Sequence, residues 1–207
     1  MKADTCFLGA TGAHQIAPYM TAFKEQYPGP RLSLYVRNDD KLLEALKERH
    51  IDVAVHASPP RGHGLGVIPF SIDPVVVCVG IGHALEKRKS VRLEELSGET
   101  LIVREKGCHT RTLIDNTFDK AGLPLDDALE TDEWESVREL VRAGLGISLM
   151  SVADCGIDKR MIQIPLIDPS LEVTEYLVFD PDRRRLKTVR AFLDMVEKMT
   201  GEPWYKL

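Results

Sequence analysis

A chain of 207 residues that is 43% hydrophobic and 29% charged matches ordinary globular averages, which excludes a disordered or low-complexity polymer and leaves room for one large domain or two smaller lobes. The formal net charge of −5 and pI of about 5.7 argue against a nucleic-acid grip within this segment, because that task needs clustered, uncompensated Lys and Arg. No apolar run approaches the roughly 20 residues of a membrane span, and the opening Met1–Cys6 lacks an apolar signal core, so a cytoplasmic location is expected.

The first elements read as a strand from Thr5 to Gly9 followed by a helix. Ile16, Ala17, Met20, Phe23 and Tyr27 fall on one face of that helix. After Pro28-Gly29-Pro30 the chain is expected to run extended through Leu32, Leu34 and Val36. It then forms a second helix carrying Leu42, Leu43 and Leu46, and a buried strand from Ile51 to Val55. Such β-α-β-α-β alternation demands a mostly parallel sheet with helices on both faces, because each crossover must return the chain to the same edge. Beyond a Pro/Gly/His-rich loop from Ser58 to Gly64, two strands are predicted, Leu65 to Phe70 and Pro74 to Gly80, the second crossing into another lobe.

The pattern then repeats: strand Thr100 to Val103, helix from about His109, strand near Ala128 to Glu130, helix from about Glu133, strand Ile147 to Met150. Gly122 and Pro124 mark the end of the first of these helices. A strand from Val173 to Asp180 and a helix from Arg185 to Met199 close the chain. The expected organisation is two Rossmann-like lobes, about 1–74 plus 181–207 and about 75–180. Two crossover strands would join them around a ligand cleft at the carboxyl ends of their strands.

Four segments in this order resemble the effector domain of LysR-type transcriptional regulators. They are Ala22-Phe23-Lys24-Glu25-Gln26-Tyr27-Pro28, Leu42-Leu43-Glu44-Ala45-Leu46 leading to Asp52-Val53-Ala54-Val55, Arg104-Glu105-Lys106-Gly107-Cys108-His109-Thr110-Arg111, and Val137 to Leu149 with Ala143-Gly144-Leu145-Gly146-Ile147. The resemblance implies an α/β fold of the type II periplasmic-binding-protein class and a small-molecule effector. It also implies homodimers or homotetramers formed through the helix from His14 and the strand from Leu32. DNA would be bound only by a preceding winged helix-turn-helix. No cofactor is implied.

Candidate ligand-binding residues lie where strands give way to helices. Thr11, Gly12, Ala13 and His14 open the first helix, and Cys108, His109 and Thr110 open its counterpart in the second half; free N–H groups there favour an anion. Ordinary capping, with Thr11 capping its own helix, explains the same residues without a ligand. Asn38, Asp39, His56 and Ser58 follow the next strands, where capping and loop solvation are the plain alternative. Asp132, Trp134 and Glu135 begin a later helix. Dipole complementarity and core packing account for them, unless they hold the cationic end of a zwitterion. Cys108 at a helix start raises redox sensing as an idea, but Cys6, Cys78, Cys108 and Cys155 form no Cys-x-x-Cys pair, which suits reduced thiols. The histidines show no His-x-x-x-His helical pair, so no metal is expected. No nucleophile with a named base, and no orienting third residue, supports catalysis; a solute-binding protein and an enzyme on the same fold are the competing readings.

Overall fold

The structure is a computed structural model and describes residues 5–59, 64–125 and 128–207. Residues 60–63 of the Pro/Gly/His-rich loop lie outside the described residues. In chain order the first elements are β1 (Thr5–Ala10), α1 (Ala13–Gln26), β2 (Arg31–Val36), α2 (Asp39–Lys47), β3 (Val53–His56), β4 (Gly66–Gly80) and β5 (Val91–Arg92). They continue as β6 (Ile102–Arg104), α3 (His109–Ala121), β7 (Leu129–Thr131), α4 (Trp134–Arg142), β8 (Ser148–Ser151) and α5 (Val152–Cys155). β9 (Met161–Asp168), β10 (Glu172–Phe179), α6 (Lys187–Thr200) and β11 (Tyr205–Lys206) complete the chain. Two compact units result: the first is residues 1–72 with 174–207, the second residues 73–173.

In the first unit, β1 pairs in parallel with β2 and β3, and β10 runs antiparallel to β3. Both faces of this sheet are buried, so its central strands need apolar side chains at every position rather than at alternate ones. Val53 and Val55 face α1 and α6, packing with Cys6, Leu8, Ile16, Phe23, Phe192 and Val196, while Ala54 between them faces Leu42 and Leu46 of α2. Asn38 accepts a hydrogen bond from the Lys41 N–H at 3.0 Å and so caps α2. Asp52, 1% exposed, ties the approach to β3 by accepting from the Phe7 N–H at 2.9 Å and from the Arg183 guanidinium at 2.8 Å.

In the second unit, the Val75–Gly80 stretch of β4 pairs antiparallel with β8 and β9, and β6 pairs in parallel with β7. Val76, Cys78, Ile102, Cys108, Trp134, Val137, Val141, Met150 and Cys155 form its apolar core. α3 stops where Gly122 takes φ +67°, a left-handed turn that glycine adopts without a Cβ penalty.

Three expectations change. The two strands at Leu65–Phe70 and Pro74–Gly80 are one 15-residue strand, β4, within which Pro69 and Pro74 are tolerated. The strand at Val173–Asp180 contributes to the first unit instead of the second, because Tyr176–Phe179 pairs with β3. β9 has no counterpart in the sequence reading: Pro165 and the irregular burial of its eight residues hide the alternation that marks a half-buried strand.

Candidate functional site

In the first unit the carboxyl ends of β1, β2 and β3 carry the predicted residues. Asp39 Oδ1 accepts the Ala57 N–H at 3.1 Å and lies 3.7 Å from His56 Nδ1. That nitrogen accepts the Ser58 N–H at 3.1 Å, so the neutral tautomer it implies carries its proton on Nε2. Asp39 and His56 are buried, whereas Ser58 is exposed. The structure therefore brings Asp39, His56 and Ser58 into one cluster.

At the β1–α1 junction the cap differs from the expected one. Gly12, not Thr11, is the N-cap, and Gln15 three residues on reaches back to it. Gln15 Oε1 accepts the Gly12 N–H at 3.0 Å and the Thr11 hydroxyl at 3.0 Å. On its other side the Gln15 amide donates to Glu175 of β10, whose second oxygen accepts from Ser71 at 3.1 Å. Gln15 and Glu175 are each only 8% exposed. The His14 ring folds over Gly12, where a Cβ would fall 2.5 Å from it; Ala13 is exposed.

In the second unit Cys108 is the N-cap of α3, and Thr110 is buried in its first turn beside half-buried His109. Cys108 packs in the core that also holds Cys78 and Cys155. The Cys78 thiol donates a hydrogen bond to the sulfur of Cys155, which raises the pKa of Cys78 and lowers that of Cys155. At the start of α4, Trp134 is a core residue whose ring lies 5.0 Å beneath the guanidinium of Arg104, so its cation partner is a residue of this chain. Glu135 is committed as well. It pairs with Arg142 at 2.9 Å and with Arg138, and these bonds hold its carboxyl below the usual range. Trp134 and Glu135 thus follow the core-packing and helix-start accounts in this structure, where the sequence also allowed a hold on a ligand cation. Asp132 is exposed just ahead of them.

Arg104, absent from the sequence reading as a site residue, ends β6 and is 3% exposed. Its Nε and Nη2 donate to Glu105 at 2.9 and 3.2 Å, while Nη1, shielded from water, has no hydrogen-bond partner among the described residues. Burial works against its charge, but Glu105, Cys108 and Asp154 outweigh that and raise its pKa, so the guanidinium stays charged. A cation closing an apolar strand, Leu101-Ile102-Val103-Arg104, was the signal that could have marked it. Gln15 was marked only by its three-residue spacing from Gly12, and Glu175 by nothing local. Among the described residues no helix is long and apolar enough to cross a membrane.

Among curated relatives, the chain is 28% identical over 187 residues to the HTH-type transcriptional activator CmpR of Synechocystis, covering 89% of this chain and 62% of that protein. It is 26% identical over 191 residues to a RuBisCO operon transcriptional regulator of Allochromatium vinosum, covering 90% and 63%. The chain thus spans about three fifths of the length of these relatives. Its fold is shared with the regulatory domain of Synechocystis CcmR in complex with 2-PG, at TM-score 0.85 and 24% identity over 95% of this chain and 97% of that one. It is also shared with the effector binding domain of QuiR in complex with shikimate, at TM-score 0.83 and 19% identity over 97% and 98%. The family described as LysR substrate binding domain matches residues 6–200, and the chain belongs to it.

Proposed function

We propose that this chain is the sensing part of a LysR-type transcriptional regulator acting in the cytoplasm, and that its effector is a small anionic or zwitterionic metabolite. The curated relatives are transcriptional regulators rather than enzymes, and the complexes of related domains carry small molecules. DNA contact belongs to a helix-turn-helix outside this chain. Effector binding acts by population shift, which requires that the metabolite favour one conformation of the regulator over another.

The observation that carries the anionic reading is Arg104. A buried guanidinium proton without an acceptor costs on the order of 1–3 kcal/mol, and an oxyanion arriving at the α3 start removes that cost while gaining a charge-assisted bond. Because Nη1 is shielded, the anion must displace the side chains covering it. The N-terminus of α3, 13 residues long, adds a favourable dipole at the same place.

The test is a thermal-shift and calorimetric screen of small carboxylates and phosphates, since a ligand of the folded state raises the melting temperature by mass action. A saturable shift is expected, with affinity falling about 10–100-fold in Arg104→Gln, the equivalent of one charged hydrogen bond. Glu105→Gln, which removes the competing carboxylate, should strengthen binding. If Arg104→Gln stays folded and binds as wild type does, the anchor is wrong. Homodimerisation through α1 and β2 is part of the same proposal, supported by the edge position of β2 and by the groove that Met20, Lys24, Arg31 and Leu32 line.

A further inference from the structure

We infer that Gln15 and Glu175 form a conformational clamp that couples the turn between β1 and α1 to both points at which the chain passes between its two units. All the residues of the clamp belong to the first unit. The coupling goes beyond the effector-sensing reading and rests on it only for the role that the coupling serves.

The chain leaves the first unit after Ile72, in β4, and returns to it at Thr174, in β10. β4 and β10 are neighbours in the sheet, and Ser71 and Glu175 stand on them one residue inside each passage. The Glu175 carboxylate bridges the two strands and α1: one oxygen accepts from the Ser71 hydroxyl at 3.1 Å, and the other accepts from the Gln15 amide. Gln15 carries the link on to the turn, where its Oε1 accepts from the Thr11 hydroxyl and from the Gly12 N–H, each at 3.0 Å. The amide is fixed in this sense because a backbone N–H can only donate, which leaves the NH2 end for the carboxylate.

Burial turns this chain of bonds into a mechanical link. Gln15 and Glu175 are each only 8% exposed, so water cannot readily replace a lost partner, and a buried amide or carboxylate is tolerated only while its hydrogen bonds are made. Loss of Ser71 leaves Glu175 short of a donor and loosens its hold on Gln15; loss of Gly12 or Thr11 frees the Gln15 amide and loosens Glu175. An event at the turn that draws Thr11 or Gly12 away from Gln15 therefore releases both passages from α1. The coupling is reciprocal, so parting the passages loosens the turn by the same free energy.

Amide hydrogen exchange of the whole chain, resolved residue by residue by NMR, tests the clamp without any effector, so its outcome is separate from that of the sensing reading. The Val75 N–H donates to the Leu171 oxygen at 2.8 Å on the second-unit side of the passages and is no part of the clamp. Gln15→Leu should speed its exchange about 3–10-fold, a hydrogen bond's worth of local opening. The Ile102 N–H, which donates to the Ile147 oxygen at 2.8 Å elsewhere in the second unit, should exchange as in the wild type. In the opposite direction, Ser71→Ala should speed exchange of the Gly12 N–H about 2–5-fold, and Ser71→Thr, which keeps the hydroxyl, should leave it unchanged. Wild-type exchange at Val75 in Gln15→Leu overturns the clamp, and so does an acceleration shared equally by Ile102, which reports a general loosening. Should Gln15→Leu not fold, Ser71→Ala decides alone: faster exchange at Gly12 supports the clamp, and unchanged exchange overturns it.

Discussion

Replacing Gly146 by alanine should damage this protein more than its single added carbon suggests. An ideal Cβ at that position falls 2.2 Å from the carbonyl oxygen of Thr100 and 3.1 Å from its carbon, whereas a carbon–oxygen contact needs about 3.3 Å. The obstructing oxygen is backbone, and it accepts the Ile147 N–H at 2.9 Å beside the parallel bridge between Leu101 and Ile147. Relieving the clash costs about 1–3 kcal/mol of overpacking and roughly 1 kcal/mol of hydrogen bond, offset by about 0.5–1 kcal/mol from the less flexible unfolded chain. The net is a loss of about 1–3.5 kcal/mol, or roughly 2–14 °C in melting temperature for a chain of this size. Urea unfolding of Gly146→Ala would measure it. Gly144→Ala is the control, since Gly144 has φ +76° but open space around its missing Cβ, and should cost only about 1–2 kcal/mol through backbone strain. A Gly146→Ala loss below about 0.5 kcal/mol, or one smaller than that of Gly144→Ala, would refute the close-approach argument.

Asp52→Ala should cost about 2–4 kcal/mol in chemical denaturation, less than a fully buried pair because the Arg183 side chain is 27% exposed; a loss under about 1 kcal/mol would contradict the role given to Asp52. Arg160 holds the Asp158 carboxyl down at about 2, against 3.8 for the ordinary group. A depressed carboxylate contributes stability that is present above about pH 4 and lost as pH falls towards about 2, so Asp158→Asn should flatten the acid limb of stability against pH in that window. All four cysteines are buried, and burial raises the Cys6 thiol far above its usual range. A thiol reagent should therefore find none in the native protein and four after denaturation; a thiol that reacts under native conditions would contradict this. Leu32→Glu, at the sheet edge, should shift the protein to monomer in light scattering if β2 forms the dimer contact, and leave its mass unchanged otherwise.

Local pattern alone carried much of the architecture. The helix start near His109 and the stop at Gly122 and Pro124 marked α3, and the alternation of strands with helices pointed to parallel sheets and hence to strand ends as the place for ligands. The last of the four family segments was legible because it combines a turn demand with a packing demand: Gly144 takes the left-handed φ of +76°, and at Gly146 the Thr100 carbonyl leaves no room for a Cβ. Tertiary structure decided what depends on partners distant in the chain. The strand at Val173–Asp180 could not be assigned to a unit until Tyr176–Phe179 met β3. Glu135 read as a helix-start acid, with a ligand cation as the alternative, and its pairing with Arg138 and Arg142 became visible only in the fold. Arg104 lay just past the predicted strand Thr100–Val103, and only the fold buried it and left its Nη1 without a hydrogen-bond partner among the described residues. Gln15 and Glu175 are 160 residues apart, and no period or spacing couples positions so separated. Helical and strand periodicity report which face a residue presents, whereas the polarity of a buried hydrogen bond depends on the group opposite, and only the folded chain supplies that group.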